Sequence, residues 1–156
     1  MSTPPSRPTQ EQLDRFAEQF TQSQTLRYLG VRLSFPEGRK SVITMPEVRP
    51  EHLGGLGTTA VNGAIISALF DLAIGCTPAL VDPTRRCATL QISVSFQRPL
   101  VGKSIEAEAE IDSHGKSTLF ASARIRDDQG NICARAQGVV RISTLPWASG
   151  ESPAVN

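Results

Sequence analysis

An excess of charge of either sign is missing from this chain, where 16 Lys and Arg stand against 15 Asp and Glu. A net charge so near zero supplies no field to steer the protein toward a nucleic-acid backbone or an anionic membrane, so neither partner is expected. The opening stretch MSTPPSRPTQ lacks the apolar core of a secretory signal. No run is read as reaching the roughly 18 apolar residues of a spanning helix. The expectation is a soluble, cytoplasmic protein. Paired cysteines are lacking too. Cys76, Cys87 and Cys133 are odd in number and without metal-like spacing, so no metal or redox cofactor is implied. Three reduced thiols fit a cytosolic chain, and each is read as a small core residue rather than a ligand or nucleophile.

What is present suits one domain. The 156 residues are enough to bury most of their apolar surface without staples. Residues 1–8, rich in Pro and Ser, and residues 148–156, small and polar, read as disordered tails around a single domain at 9–147. Leu13, Phe16, Ala17 and Phe20 recur at helical spacing behind Thr9 and Gln12, a capping-box pair. Val31, Leu33 and Phe35 alternate with polar neighbours, Pro36-Glu37-Gly38 supplies a turn, and residues 41–45 complete a hairpin. A loop with three glycines, Gly54, Gly55 and Gly57, follows. It lets a ligand or another chain approach closely around Leu56 and Gly57.

Residues 63–80 carry Ala64, Ile65, Ile66, Ala68, Leu69, Phe70, Leu72, Ala73 and Ile74 with almost no polar face. A helix apolar all round is buried on all sides. Four strands are expected after it, at 89–96, 104–111, 119–126 and 132–143. The alternation Glu106, Glu108, Glu110 against Ile105, Ala107, Ala109, Ile111 shows one wet face, and the Asp- and Gly-rich links at 112–116 and 127–131 make a meander. The fold class is α+β: an antiparallel sheet wrapped around one long central helix, with an open sheet edge that invites a second copy.

Asp71 is the charged residue inside that apolar helix. Burying an ionised carboxylate without partners is costly, so it is either a general base or nucleophile in a dry cleft or a hydrogen-bond acceptor at a subunit interface. Asn62 is placed as the N-cap of the same helix. The N–H groups of Gly63 and Ala64 then lie at its start, where they can hold an oxygen that becomes negative. Asp71 lies nine residues on, roughly 13 Å along the axis and half a turn round. It cannot serve its own helix's start, so a site using both features takes them from two chains.

The segment Asn62-Gly63-Ala64 followed by Leu69-Phe70-Asp71 resembles the His-Gly-Gly-x4-Leu-x-Asp motif of hotdog-fold acyl-CoA thioesterases of the phenylacetic-acid-degradation (PaaI-like) type. Thr89-Leu90-Gln91 leading to Phe96-Gln97-Arg98-Pro99, and the closing Ala134-Arg135-Ala136-Gln137-Gly138, extend the similarity over residues 26–143. The resemblance implies a hotdog fold and hydrolysis of an acyl-CoA thioester to free acid and coenzyme A, with coenzyme A part of the substrate and no separate cofactor. It implies a homodimer or a dimer of dimers, with Asp71 as base or nucleophile and Gly63 and Ala64 as oxyanion donors. Thr89 would position water or the carboxylate across the dimer. Leu56, Gly57, Arg98 and Lys116 would contact substrate, the cations meeting phosphates. Asn62 stands where the family usually has His, and Ala64 where it has a second Gly. Leu56, or Gly54 in another alignment, stands where the family has Asn. The alternative is a non-catalytic hotdog protein that binds acyl-CoA or another apolar ligand. A hydratase pairs His with an acid, a placement neither His52 nor His114 matches.

Overall fold

A computed structural model describes residues 6–147; residues 1–5 and the expected tail at 148–156 lie outside the described residues. The first helix, α1 (Gln10–Thr21), begins at the expected capping box: Thr9 Oγ1 accepts from Gln12 N–H at 3.2 Å, and Gln12 Oε1 accepts from Thr9 N–H at 2.9 Å. Phe16 on its buried face packs against Phe35 and stacks on Phe20. A second helix, α2 (Gln24–Leu29), is too short to show a period in the sequence. Ser23 caps it, and Gly30 at φ 70° ends it. The hairpin of β1 (Arg32–Ser34) and β2 (Ser41–Met45) turns through Pro36–Gly38.

The central helix, α3 (Gly63–Gly75), stops short of the expected residue 80. Pro78 has no N–H to continue the ladder and disfavours helical geometry in the residue before it. Thr77 Oγ1 instead donates to Ile74 O at 2.6 Å, and Thr77–Leu80 follow as a 3₁₀ turn. Contrary to the expectation of no spanning run, Gly63–Leu80 is long and apolar enough to cross a membrane by length and composition, at mean hydropathy 1.7. Half of it is buried inside the fold, and it forms the core of the sheet's concave side.

The remaining strands are β3 (Arg85–Phe96), β4 (Ile105–His114), β5 (Thr118–Arg126) and β6 (Ile132–Pro146). With β1 and β2 they form one antiparallel sheet in the order β1-β2-β4-β5-β6-β3. The expected meander is β4-β5-β6, while β3 crosses to the far side of β6 and becomes an edge. β4 runs on through Asp112 and Ser113 by way of a bulge, leaving only residues 115–117 to turn.

The middle of the sheet's inner face is lined by small buried residues: Ala107, Ala109, Ala121, Ala123 and Ala136. They let a helix lie close to the strands. The closest approach is at Gly138, where an added methyl would stand 2.7 Å from Ile74 Cγ2 and 3.1 Å from Gln91 O. On the outer face Glu108 gathers Lys40 from the loop before β2 and Arg124 and Arg126 from β5. Burial alone would raise its pKa, but the hydrogen bonds from Arg126, Arg124 and Lys40 hold it down to about 2.

The helix is not covered on all sides. Ile66, Leu69, Phe70, Ala73 and Ile74 are buried, but Ala64 and Asp71 are exposed, and Ile65, Ala68, Leu72 and Gly75 are half-buried. The sheet curls around one side only, so an apolar stripe with Asp71 in it remains open within a single chain.

Gly138→Ala is expected to destabilise the protein by about 1–3 kcal/mol, the range for overpacking a tight core, measured by urea denaturation. Glu108→Gln is expected to lower stability at neutral pH. The depressed carboxylate stabilises the fold above its ordinary value of 4.5, and that contribution is lost as pH falls toward about 2. The gap in Tm between parent and variant should therefore close across that window.

Candidate active site

Asp71 opens onto a cavity of about 600 Å³, within the range of small-molecule sites. α3 contributes Asp71, Leu72 and Gly75 to its wall, and β3 contributes Arg86, Cys87, Ala88 and Thr89. The apolar remainder comes from Phe16 and Phe20 of α1, Leu26 of α2 and Trp147. Thr89 and Asp71 of the same chain therefore line one cavity. The Thr89 hydroxyl lies 3.0 Å from where a Cβ on Gly75 would sit, so the helix passes tightly over the strand. The Cys87 thiol donates to Gly75 O at 3.3 Å. Burial, and then the negative charge of Asp71, push its pKa up to about 11, and Cys76 behind it is raised for the same reasons and by Cys87 itself. At neutral pH both stay thiols and make poor nucleophiles.

The start of α3 is built on a different set of contacts. Asn62 Oδ1 accepts from Ala64 N–H at 2.8 Å. This corrects the expected donor pair, because the Ala64 N–H is already taken by the helix's own cap. The Gly63 N–H remains, at the first helical position where no intrahelical acceptor exists. With its oxygen committed to the cap, the Asn62 side chain keeps an amide Nδ2–H₂ group of donor chemistry. The Asn62 N–H is anchored to the carbonyl of buried His52 at 2.8 Å. That imidazole accepts from Arg49 N–H through Nδ1 at 2.9 Å. Burial, and then the Arg49 charge, lower its pKa, so it stays neutral and serves as a fixed wedge under the loop. No sequence pattern pointed to this support; a buried His whose backbone carbonyl does the holding leaves no spacing signature.

These two groups of residues lie at opposite ends of the same helix and strand. α3 runs antiparallel to β3: the Phe96 ring lies 3.4 Å from a Cβ built on Gly63, while Thr89 meets Gly75. A cavity of about 360 Å³ at the Gly63 end is lined by Val61, Ile66, Phe96 and Arg98. Of the expected substrate contacts Arg98 is at that end. Lys116 sits in the β4–β5 turn, and Leu56 and Gly57 at the tip of the loop before α3; none of the three lines either cavity. The residues missed by sequence reasoning are the aromatic wall, Phe16, Phe20 and Trp147. The apolar face of α1 was the available signal. Among the described residues no three His, Cys, Asp or Glu side chains come together as a metal site.

The sequence model of the thioesterase superfamily matches residues 59–134, from the loop before α3 into β6. No curated protein sequence matches the chain. Among solved structures, the Escherichia coli PaaI protein of the phenylacetic acid degradation operon superposes with a TM-score of 0.75 at 19% identity, over 89% of this chain and 99% of that one. A Shewanella oneidensis protein related to the thioesterase superfamily gives a TM-score of 0.77 at 19% identity, over 88% and 100%. A thioesterase of Haemophilus influenzae gives 0.72 at 17% identity, over 84% and 90%. The chain has the hotdog fold of these structures, and its residues 59–134 are similar to the thioesterase superfamily.

Asn62→Ala is expected to cost about 1 kcal/mol through loss of the cap, whereas Asn62→Asp, which caps equally well, should leave stability nearly unchanged. Thermal denaturation of the two variants checks this.

Proposed function

We propose that this hotdog chain, related to the thioesterase superfamily over residues 59–134, hydrolyses an acyl-CoA thioester at a site made by two copies of itself. The observation that carries the reading is the exposed Asp71 on an apolar helix stripe, lining with Thr89 a cavity that has an aromatic wall, next to a strand that is an edge of the sheet among the described residues. A second β3 pairing antiparallel with the first, about a two-fold axis near its middle, sets the Gly63 end of one chain beside the Asp71 end of the other. The same contact covers the apolar stripe. Two such sites arise per dimer, and two dimers can associate further.

In this reading the acyl group lies in the cavity below Asp71, and the thioester carbonyl faces the start of the other chain's α3. The Gly63 N–H and Asn62 Nδ2 stabilise its oxygen as charge develops. Asp71, steadied by Thr89, takes a proton from water as the water oxygen bonds to the carbonyl carbon. The C–S bond then breaks, and the proton passes to the departing coenzyme A thiolate. Direct attack by the carboxylate, followed by hydrolysis of the anhydride, gives the same products. Arg98, beside Gly63, and Lys116 are the proposed phosphate contacts, with Leu56 and Gly57 on the approach. The enzyme would work in the cytoplasm without a separate cofactor. One observation favours the alternative of a non-catalytic acyl-CoA binder: the Ala64 N–H is occupied, so one oxyanion donor must come from a side chain.

Thiol release from short, long and aromatic acyl-CoA esters tests the proposal. The parent should turn over at least one ester. Asp71→Asn should lose about a hundredfold or more in kcat, and Asn62→Asp should fall at least tenfold while remaining folded. A parent that binds the esters but releases no thiol is the binder instead.

A further inference from the structure

The loop before α3 has a feature that its own chain does not use. Residues 53–61 form a narrow hairpin closed by the Leu53–Val61 bridge, by Gly54 N–H donating to Ala60 O at 2.9 Å, and by Thr58 N–H donating to Gly55 O at 3.1 Å. Its tip is Gly55-Leu56-Gly57, three consecutive residues at φ 85°, 52° and 80°. Glycine takes that geometry freely, but Leu56 is in the left-handed region, which an L side chain enters only against a steric penalty. Leu56 is also fully exposed, and a Cβ added at Gly55 or Gly57 would meet nothing within 4 Å. An apolar side chain is therefore held, in a strained conformation, clear of its own protomer. Single exposed leucines are ordinary; one presented on a strained, tied hairpin beside a helix start is not.

The direction of the chain says where the tip goes. The hairpin leads directly into Asn62 and Gly63, which lie at the Phe96 end of β3. Antiparallel pairing of two β3 edges brings that end over the cavity holding the other chain's Asp71. We infer that Leu56 of one copy caps the Asp71 cavity of the other, where it packs on the bound acyl group and keeps bulk water out. This rests on the two-copy hydrolase reading above, and it makes Leu56 a specificity determinant supplied in trans. An acyl group bulky enough to fill the space beneath the cap gains by burying the leucine; one too small to touch it gains less.

Subunit complementation tests it. The Asp71→Asn chain and the Leu56→Ser chain are co-expressed with different tags, the mixed pair is purified, and hydrolysis of a long acyl-CoA is compared with that of the parent and of each variant alone. Leu56→Ser alone should lower kcat/KM about tenfold for the long ester, the order of one leucine's burial, and by a clearly smaller factor for a short ester. Leu56→Gly should show the same loss with a Tm no lower than the parent, since it removes the side chain and relieves the backbone. The mixed pair holds one site with both Asp71 and the capping Leu56 intact, and it should regain about half of the parent rate. Recovery no better than half the Leu56→Ser rate means that Leu56 serves its own chain, which overturns the inference, as does a Leu56→Ser enzyme equal to the parent. If the Asp71→Asn homodimer keeps the parent rate, the hydrolase reading itself is what has failed.

Discussion

An apolar helix that its own sheet can cover on one side only is the constraint behind the rest of this molecule. The sheet inner face is shaved to alanine and, at Gly138, to glycine so that α3 can lie against it. That solves half of the burial problem. The other half, the stripe of Ala64, Ile65, Ala68 and Leu72, stays partly in water, and the free edge of β3 beside it leaves backbone groups without strand partners. Apolar surface and open hydrogen-bonding capacity on one side of a domain define an interface. Asp71 is exposed on this same open side of the helix.

Much of the fold was legible because its signals are local. The Thr9–Gln12 box, the alternating glutamates of β4 and the Asp-Gly turns each depend on residues a few positions apart. Helix α2 was not legible, since six residues carry no period, and the early end of α3 shows how Pro78 overrides an apolar pattern that continues past it. The position of β3 at the far edge, beyond β6, is a long-range pairing that no local pattern encodes. Asp71 stood out in the sequence as the charge in an apolar run. Its companions did not, because the wall of Phe16, Phe20 and Trp147 is drawn from both ends of the described chain.

The start of α3 shows how one substitution is carried by its surroundings. Asn62 spends its oxygen on the cap; its backbone is pinned by His52, which Arg49 holds in place. The position of the helix start is thus fixed through a buried ring rather than by the loop alone.

The two edges of the sheet are unequal. β3 spans twelve residues, while β1 has three and lies against α1. A head-to-tail contact, β3 of one molecule on β1 of the next, would have little to grip, whereas β3 on β3 consumes the long edge of both partners at once. If two copies pair through β3, strand addition would stop after that single step. In the two-copy arrangement proposed above, the strand most able to recruit further copies is thus the one the first contact would use up.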